Sequence, residues 1–375
     1  MAAGIPGKII VSEFSLINDF GTQDSTKTNI WPMVIGTSIY ETVFRPFMWG
    51  IAKIRDSYNL YSTLPITNNT YLKIVLQDPT TGEIIRQIFR VYKVSDIQQE
   101  SPKLQTYVIH FVSLEMYNSQ YIRISKHILG NIPSEVESIH KKISNKSIEV
   151  TPDASKTNLY VPYMTAEQAI NLLVNNAKWN SAIPDYCYWE TFHNFNCKSL
   201  MKCMLENPIH DLSTNAKFST NLSNGFGYDD FIKIDDLVVK QTYDGISSLY
   251  SGLDGSTIYS YDPISGQCTA NAIGDSPLSR IYNFPDSSLD YKALSLRMQA
   301  LRSISNSYYY VNVPGLLSRS TGDVTNVTIY NGNNLEVKDT TLSGKRLICG
   351  IVHVISADEY NQHITLGTYN ISSTY

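Results

Sequence analysis

The sequence predicts an α+β protein that is mainly β, with helices and a hairpin set between two β-rich regions. Three observations predict it. Apolar and polar residues alternate through many short segments, the period of a half-buried strand. Charged residues make up only 17% of the 375 positions, while Tyr alone occurs 26 times. Tyr and Thr favour strands, so this polar composition suits broad β surfaces. Helical spacing is confined to a few stretches, each opened by a capping signal or a proline.

The first region predicts a hairpin. YLKIVLQD (Tyr71 to Asp78) alternates, DPTTGE supplies a turn with Pro79 and Gly82, and IIRQIFRVYKV (Ile84 to Val94) alternates back. Leu72, Ile74 and Leu76 share one face. A third strand, Leu104 to Tyr117, follows the polar loop IQQESPK. Such a meander has to pack in a barrel or sandwich.

Helix is expected from Pro133, with Ser134 and Glu137 as a capping box and Val136, Ile139 and Ile143 as its buried stripe. A second helix begins near Thr165, with Gln168 closing the box and Ile170, Leu173, Val174 and Ala177 facing inward. Next comes DYCYWETFHNFNCKSLMKC (Asp185 to Cys203), read as a hairpin. Tyr186, Tyr188, Glu190 and Phe192 lie on one face; Cys187, Trp189, Thr191 and His193 lie on the other. HNFN is its turn, and Cys197, Ser199, Met201 and Cys203 line one face of the return strand. Strands resume at FIKIDDLVVKQT and GSTIYSYDP. A helical pattern from about Ser287 to Asn306, with Leu294, Met298, Leu301 and Ile304, interrupts them. SYYYVNVPG, DVTNVTIYN, KRLICGIVHVISA and NQHITLGTYN close the chain as strands.

Composition narrows the function classes. The net charge is -4, with no basic stripe for phosphate contacts, so no sequence-specific nucleic-acid binding is expected. The longest apolar runs, such as LICGIVHVI (Leu347 to Ile355), fall short of the ~20 residues that span a bilayer, so no stable membrane insertion is expected. No signal peptide is visible, and the five irregularly spaced cysteines read as reduced thiols.

The 185–203 stretch is the one place where chemistry could concentrate. Cys187, His193, Cys197 and Cys203 are separated by five, three and five residues, without the tight pair of a structural zinc site. A Cys-His nucleophile needs a thiolate in an electropositive pocket, and His193 sits at a turn. Small cysteines packed on strands are the expectation, and no metal or cofactor is assigned. Asp229, Asp230, Asp235 and Asp236 flank a strand as a glycosidase pair could, but adjacent aspartates point to opposite faces. GLDG (Gly252 to Gly255) is a turn, since no GK[ST] follows. His110 and His353 sit in apolar strands, as core or interface histidines. No catalytic residue is assigned, and the chain is not expected to be an enzyme.

The order of segments carries a resemblance. VFRPFMWGIAKIRDSYNLYSTLPI through IIRQIFRVYKVSDI looks like a first tube-like β-domain. HILGNIPSEVESIHKKI and YVPYMTAEQAINLLVNNAKW resemble helical segments that lead into an aromatic hairpin. KRLICGIVHVISADEYNQHITLGTYN looks like the closing strands of a second tube-like domain. Together they resemble the central baseplate hub protein of contractile-tailed bacteriophages and the related hub region of type VI secretion spike proteins.

The resemblance implies two similar tube-like β-barrel or sandwich domains, 1–122 and 227–261 with 307–375, around a middle domain, 123–226. A helical insert, 262–306, would pack beside the middle domain. It implies a homotrimer that adapts a six-fold tail tube, or a tube-initiator protein, to a three-fold central spike. The spike is expected as a separate chain, and wedge proteins of the baseplate as outer partners. The interface positions expected are Pro79, Thr81, Gly82, Ile351 and His353. The location would be the tail baseplate of a virion, made in host cytoplasm. Two alternatives stand beside it: a tail-associated glycan-binding or hydrolytic β-protein, and the hub of a non-phage contractile injection system.

Overall fold

The computed structural model describes residues 7–18, 26–63, 66–67, 69–79, 82–101, 104–152, 157–179, 185–214, 233–241, 255–261, 268–274, 279–282, 297, 301, 304, 308–331, 334–340 and 342–368. The fold is mainly β with a few helices, as the alternation predicts.

The first region contributes β1 (Ile10–Asn18), β2 (Thr26–Asn29), β3 (Val34–Thr42), β4 (Trp49–Asp56), a single helical turn α1 (Leu60–Thr63), β5 (Thr70–Gln77), β6 (Ile84–Ser101) and β7 (Leu104–Ser113). The predicted hairpin is β5–β6, in register from Tyr71 opposite Arg90 to Gln77 opposite Ile84. Leu72, Ile74 and Leu76 are buried against Phe14, Phe89, Tyr107 and Phe111 in one core. Gly50 on β4 is required there: a Cβ would stand 2.4 Å from the Phe111 ring and 2.7 Å from the Ser38 carbonyl.

Two boundaries differ from expectation. The polar IQQES segment is strand, because β7 pairs with β6 as far as Ser101 opposite Leu104. The third strand stops at Ser113, and Leu114–Tyr121 is a helix, α2, whose buried residues are Glu115 and Ser119 rather than an apolar stripe.

The middle region contains β8 (Arg123–Gly130), α3 (Ile132–Ile143), β9 (Ile148–Val150), β10 (Thr157–Thr165), α4 (Ala166–Asn176), β11 (Tyr186–Glu190), β12 (Phe195–Ser199) and α5 (Leu200–Leu205). Helix α4 opens with the predicted capping box of Thr165 and Gln168. Helix α3 does not open with the expected one. Its N-cap is Asn131, whose side chain accepts the Ser134 amide, so Pro133 lies inside the first turn, where its missing N–H costs nothing. The stripes Val136, Ile139, Ile143 and Ile170, Leu173, Val174 meet in one core that also holds Tyr186, Tyr188, Phe195 and Cys197. The return strand is shorter than expected: it ends at Ser199, which caps α5 by accepting the Lys202 amide. Met201 and Cys203 therefore lie on a helix.

The last region contains β13 (His210–Ser213), β14 (Asp236–Gln241), β15 (Gly255–Tyr261), β16 (Cys268–Gly274), β17 (Ser279–Tyr282), β18 (Tyr308–Pro314), β19 (Val324–Thr328), β20 (Tyr330–Asn331), β21 (Asn334–Lys338), β22 (Gly344–Ile355) and β23 (Tyr360–Gly367). Strand β15 pairs with β16 and β17 rather than with the main sheet. Most of the predicted 287–306 helix lies outside the described residues; Arg297, Leu301 and Ile304 are helical.

Among the described residues a thirteen-stranded sheet joins the two β regions, in the order β14-β18-β23-β22-β3-β4-β7-β6-β5-β1-β2, with β19 on β22 and β13 on β19. The joining pair is β3 with β22, antiparallel from Thr37 opposite Ile355 to Thr42 opposite Gly350. Each β region keeps its own core, the second built on Tyr309, Val311, Ile348, Ile351, Ile364 and Leu366. Among the described residues, no helix is long and apolar enough to cross a membrane.

Candidate functional site

The 186–199 hairpin stands at the meeting point of all three regions, and Tyr186 to Trp189 alternate as the sequence predicts. Tyr186 and Tyr188 join the helical core. Cys187 and Trp189 point the other way, into a cluster with Cys203 of α5 and with Val324, Leu347 and Cys349 of the last region. The Trp189 indole N–H donates to the Thr321 carbonyl at 3.1 Å. Gly322 approaches that ring with φ +91, and a Cβ there would come within 2.6 Å of it. Only glycine combines that conformation with that contact.

The tip of the hairpin is a wedge. Phe192 enters the core of the first region, and its ring centroid lies 4.4 Å from that of His353. Its backbone is fully engaged in that interior. The Phe192 amide donates to Glu41 Oε1 at 3.0 Å, and its carbonyl accepts from Gln87 Nε2 at 2.6 Å. Glu41 stands on β3, 3.3 Å from His353 Nε2, and both side chains are buried. His353 Nδ1 lies 2.9 Å from the Tyr360 hydroxyl, and Gln362 contacts both groups. Gln362 Oε1 accepts from the buried Arg319 guanidinium at 2.6 Å. Burial pulls the Arg319 guanidinium down to about 10.

A second polar cluster seats the base of the tip. Glu190 Oε2 accepts the Met48 amide at 3.0 Å, and Oε1 faces Lys146 Nζ at 2.5 Å and Ser113 Oγ at 3.0 Å. Glu115 accepts from Ser113 and Ser144 and lies 3.6 Å from Lys146. Lys146 also donates to Gln87, which links the two clusters. Burial pushes Glu190 up to about 7, with Glu115 adding to the rise and Lys146 opposing it. Burial works against the charge of Lys146 too, but Glu190 and Glu115 hold its ammonium above the usual range.

The sequence-predicted chemistry resolves into packing. Cys187, Cys197, Cys203 and Cys349 are free and buried. Burial drives the Cys187 thiol up to about 11 and Cys203 up to about 12, so neither is a ready thiolate. Cys197 faces the helical core, away from Cys187 and Cys203. His193 spans from Glu83, at 3.4 Å, to the Leu317 carbonyl, at 3.0 Å. Among the described residues, no group of three His, Cys, Asp or Glu side chains could hold a metal ion. Asp229 and Asp230 lie outside the described residues. Asp235 and Asp236 are exposed, and Asp235 sits 3.4 Å from Lys233. His110 lies on the sheet 2.8 Å from Ser95 Oγ.

Of the expected interface positions, Pro79 and Gly82 form the exposed β5–β6 turn, with Gly82 at φ +73, and Thr81 lies outside the described residues. Ile351 and His353 lie within the chain's own interior, at 1% and 0% exposure. Sequence reasoning missed Glu41, Gln87, Glu115 and Lys146. The lysine is 44 positions from Glu190, and Glu41 is 151 positions from Phe192, so no local signal couples them.

No family model matches the chain, and no curated protein matches it. Solved structures do. The tail protein from Neisseria meningitidis MC58 superposes with a TM-score of 0.57 at 11% identity, over 96% of this chain and 98% of that one. The 43 kDa tail protein of prophage MuSo2 from Shewanella oneidensis gives 0.57 at 11% identity, over 94% and 97%. The E. coli c3393 protein, a component of the type VI secretion system with structural similarity to T4 tail proteins gp27 and gp5, gives 0.50 at 8% identity, over 98% and 78%. At such identities the likeness is one of fold, and it spans nearly the whole chain. The fold of this chain is similar to that of these two phage tail proteins and of the type VI secretion component.

Proposed function

We propose that the chain is a non-enzymatic baseplate hub subunit of a contractile tail, located in the tail of the virion. Three copies would form a ring that meets a six-fold tube on one face and a three-fold spike on the other. One observation carries this reading: a single chain joins two β regions edge to edge through β3 and β22. Three such chains present six β units, so a ring of hexagonal character follows from a three-fold assembly. The main run of the sheet ends at β14 and β2 and its side branch at β13, each with one partner strand among the described residues. Edges of this kind pair with neighbouring chains and would close the ring. The exposed turn at Pro79 and Gly82 would contribute to the rim contacts, together with the Thr81 expected from the sequence. Ile351 and His353 would support the interface from inside the joining pair. Two β domains, a middle domain and an insert are kept in this reading, with β13 counted to the second β domain through its pairing with β19 and with β16 and β17 inside the 262–306 insert; a separate spike, a tube or tube-initiator protein and wedge proteins would be its partners.

The likeness to a type VI secretion component keeps a second machine in view, a non-phage injection system with the same hub. A hydrolase is disfavoured, because Asp235 is exposed beside a lysine rather than set in a cleft. Light scattering on the purified chain, alone and with a spike protein, tests the proposal. A mass of three chains, reached alone or on adding the spike, supports the hub. A stable monomer indifferent to the spike overturns it.

A further inference from the structure

The Glu190 cluster has one hydrogen too few for its geometry. The Ser113 hydroxyl stands 2.5 Å from Glu115 Oε2 and 3.0 Å from Glu190 Oε1, and it carries a single proton. With both carboxylates ionised, that proton satisfies one of them and turns the serine lone pairs toward the other anion. If one carboxyl holds a proton, it donates to Ser113 Oγ while the serine donates onward. Both short contacts are then hydrogen bonds.

The charges agree with this count. Among the described residues Lys146 is the one cation bonded to the pair, so two ionised carboxylates would leave a charge of -1 there. The remaining neighbours do not alter it. Burial lowers the proton affinity of His140, whose ring lies against the Tyr188 hydroxyl and the Lys146 carbonyl. Burial also keeps the Tyr188 hydroxyl protonated, and Gln87 is neutral. Lys141, paired with Glu137, and Lys142 line the outer part of a cleft of about 440 Å³. Glu115, Ser144 and Lys146 line it too, which gives protons a path from solvent.

The same atoms bind segments that are far apart in the chain. Glu190 holds the Met48 amide, and Met48 in turn accepts the Ser113 amide at 2.9 Å. The hairpin is thereby locked to the end of the β4–β7 pair. The geometry points to a proton-operated joint: Glu190 and Glu115 share one proton across Ser113, and its loss loosens the seat of the 186–199 hairpin in the first β region.

The sign follows from burial. Glu190 rises from an ordinary 4.5 to about 7. A carboxyl raised on folding contributes stability that is full below its unfolded value and is lost as pH rises through the folded one. The joint is tight in mild acid and loosens above neutrality.

The test uses the full chain. Difference infrared spectra should show a protonated-carboxyl C=O band that disappears between about pH 6 and about pH 8, where ordinary carboxylates are already ionised. The thermal midpoint should fall by a few degrees as pH rises from about 4.5 to about 7, between the unfolded and the folded value of Glu190. Glu190→Gln and Glu115→Gln each make the joint permanently neutral. Each should remove the band and flatten the fall. A wild-type spectrum without the band, or a fall that persists unchanged in both variants, overturns the proposal. Should both variants fail to fold, the wild-type band decides alone: present, it supports the shared proton; absent, it refutes it.

Discussion

Phe192→Ala cuts the wedge out of the first core while leaving the backbone that holds it. Phe192 is only 5% exposed and packs on the ring of His353, so truncation removes a nearly full side-chain burial. Lost transfer energy together with the cavity left behind costs about 3–5 kcal/mol at such a site. The amide and carbonyl of residue 192 keep Glu41 and Gln87 as partners, so the loss is one of packing rather than of hydrogen bonding. The effect should concentrate on the hairpin, because its tip is held by Phe192 and its base by Glu190. A loss of about 4 kcal/mol raises the opened population roughly a thousandfold.

Cys187 and Cys197 report that opening, one on each strand. Burial keeps the Cys187 thiol protonated and shielded while the hairpin is closed. Thiol labelling read cysteine by cysteine with mass spectrometry should therefore accelerate by roughly three orders of magnitude at both positions. Labelling within about threefold of wild type, with unchanged unfolding, would refute the wedge.

Three other outcomes follow from the same contacts. Gly322→Ala should destabilise by about 2–4 kcal/mol, since it combines positive φ with a 2.6 Å approach to Trp189; denaturant unfolding followed by tryptophan emission reads it. Lys146→Met should cost about 3 kcal/mol, because two buried carboxylates lose their shared cation; adding Glu190→Gln should recover much of that, and an additive double variant would contradict the coupling. Ile351→Asp places a charge in the second core beside the joining pair and should yield no folded protein; a soluble assembly of normal stability would rule out the buried assignment.

Much of this molecule is local and therefore legible in the chain. The β5–β6 hairpin, the Thr165 capping box, the helical stripes and the alternation through Tyr186 to Trp189 each depend on neighbours within a few positions. Their periods state which side is buried, and the structure buries those sides. Where reading failed, a competing local or distant partner decided. Asn131 took the cap expected at Ser134, Ser199 turned the return strand into α5, and β7 drew the polar IQQES segment into a strand. The cysteines were legible as core residues because small buried side chains suit a strand, although Cys203 reached its place on a helix.

What the tertiary structure alone decided is how the regions are joined. Alternation in KRLICGIVHVI announces a strand but not that its second half pairs with β3, some three hundred positions away. Nor does a lone Glu in β3, or a Lys after α3, announce a partner on the hairpin. A strand pattern specifies which face seeks a core, because side-chain direction is a property of the backbone. It leaves the choice of edge partner, and the pairing of buried charges, to contacts that exist only once the chain has folded back on itself.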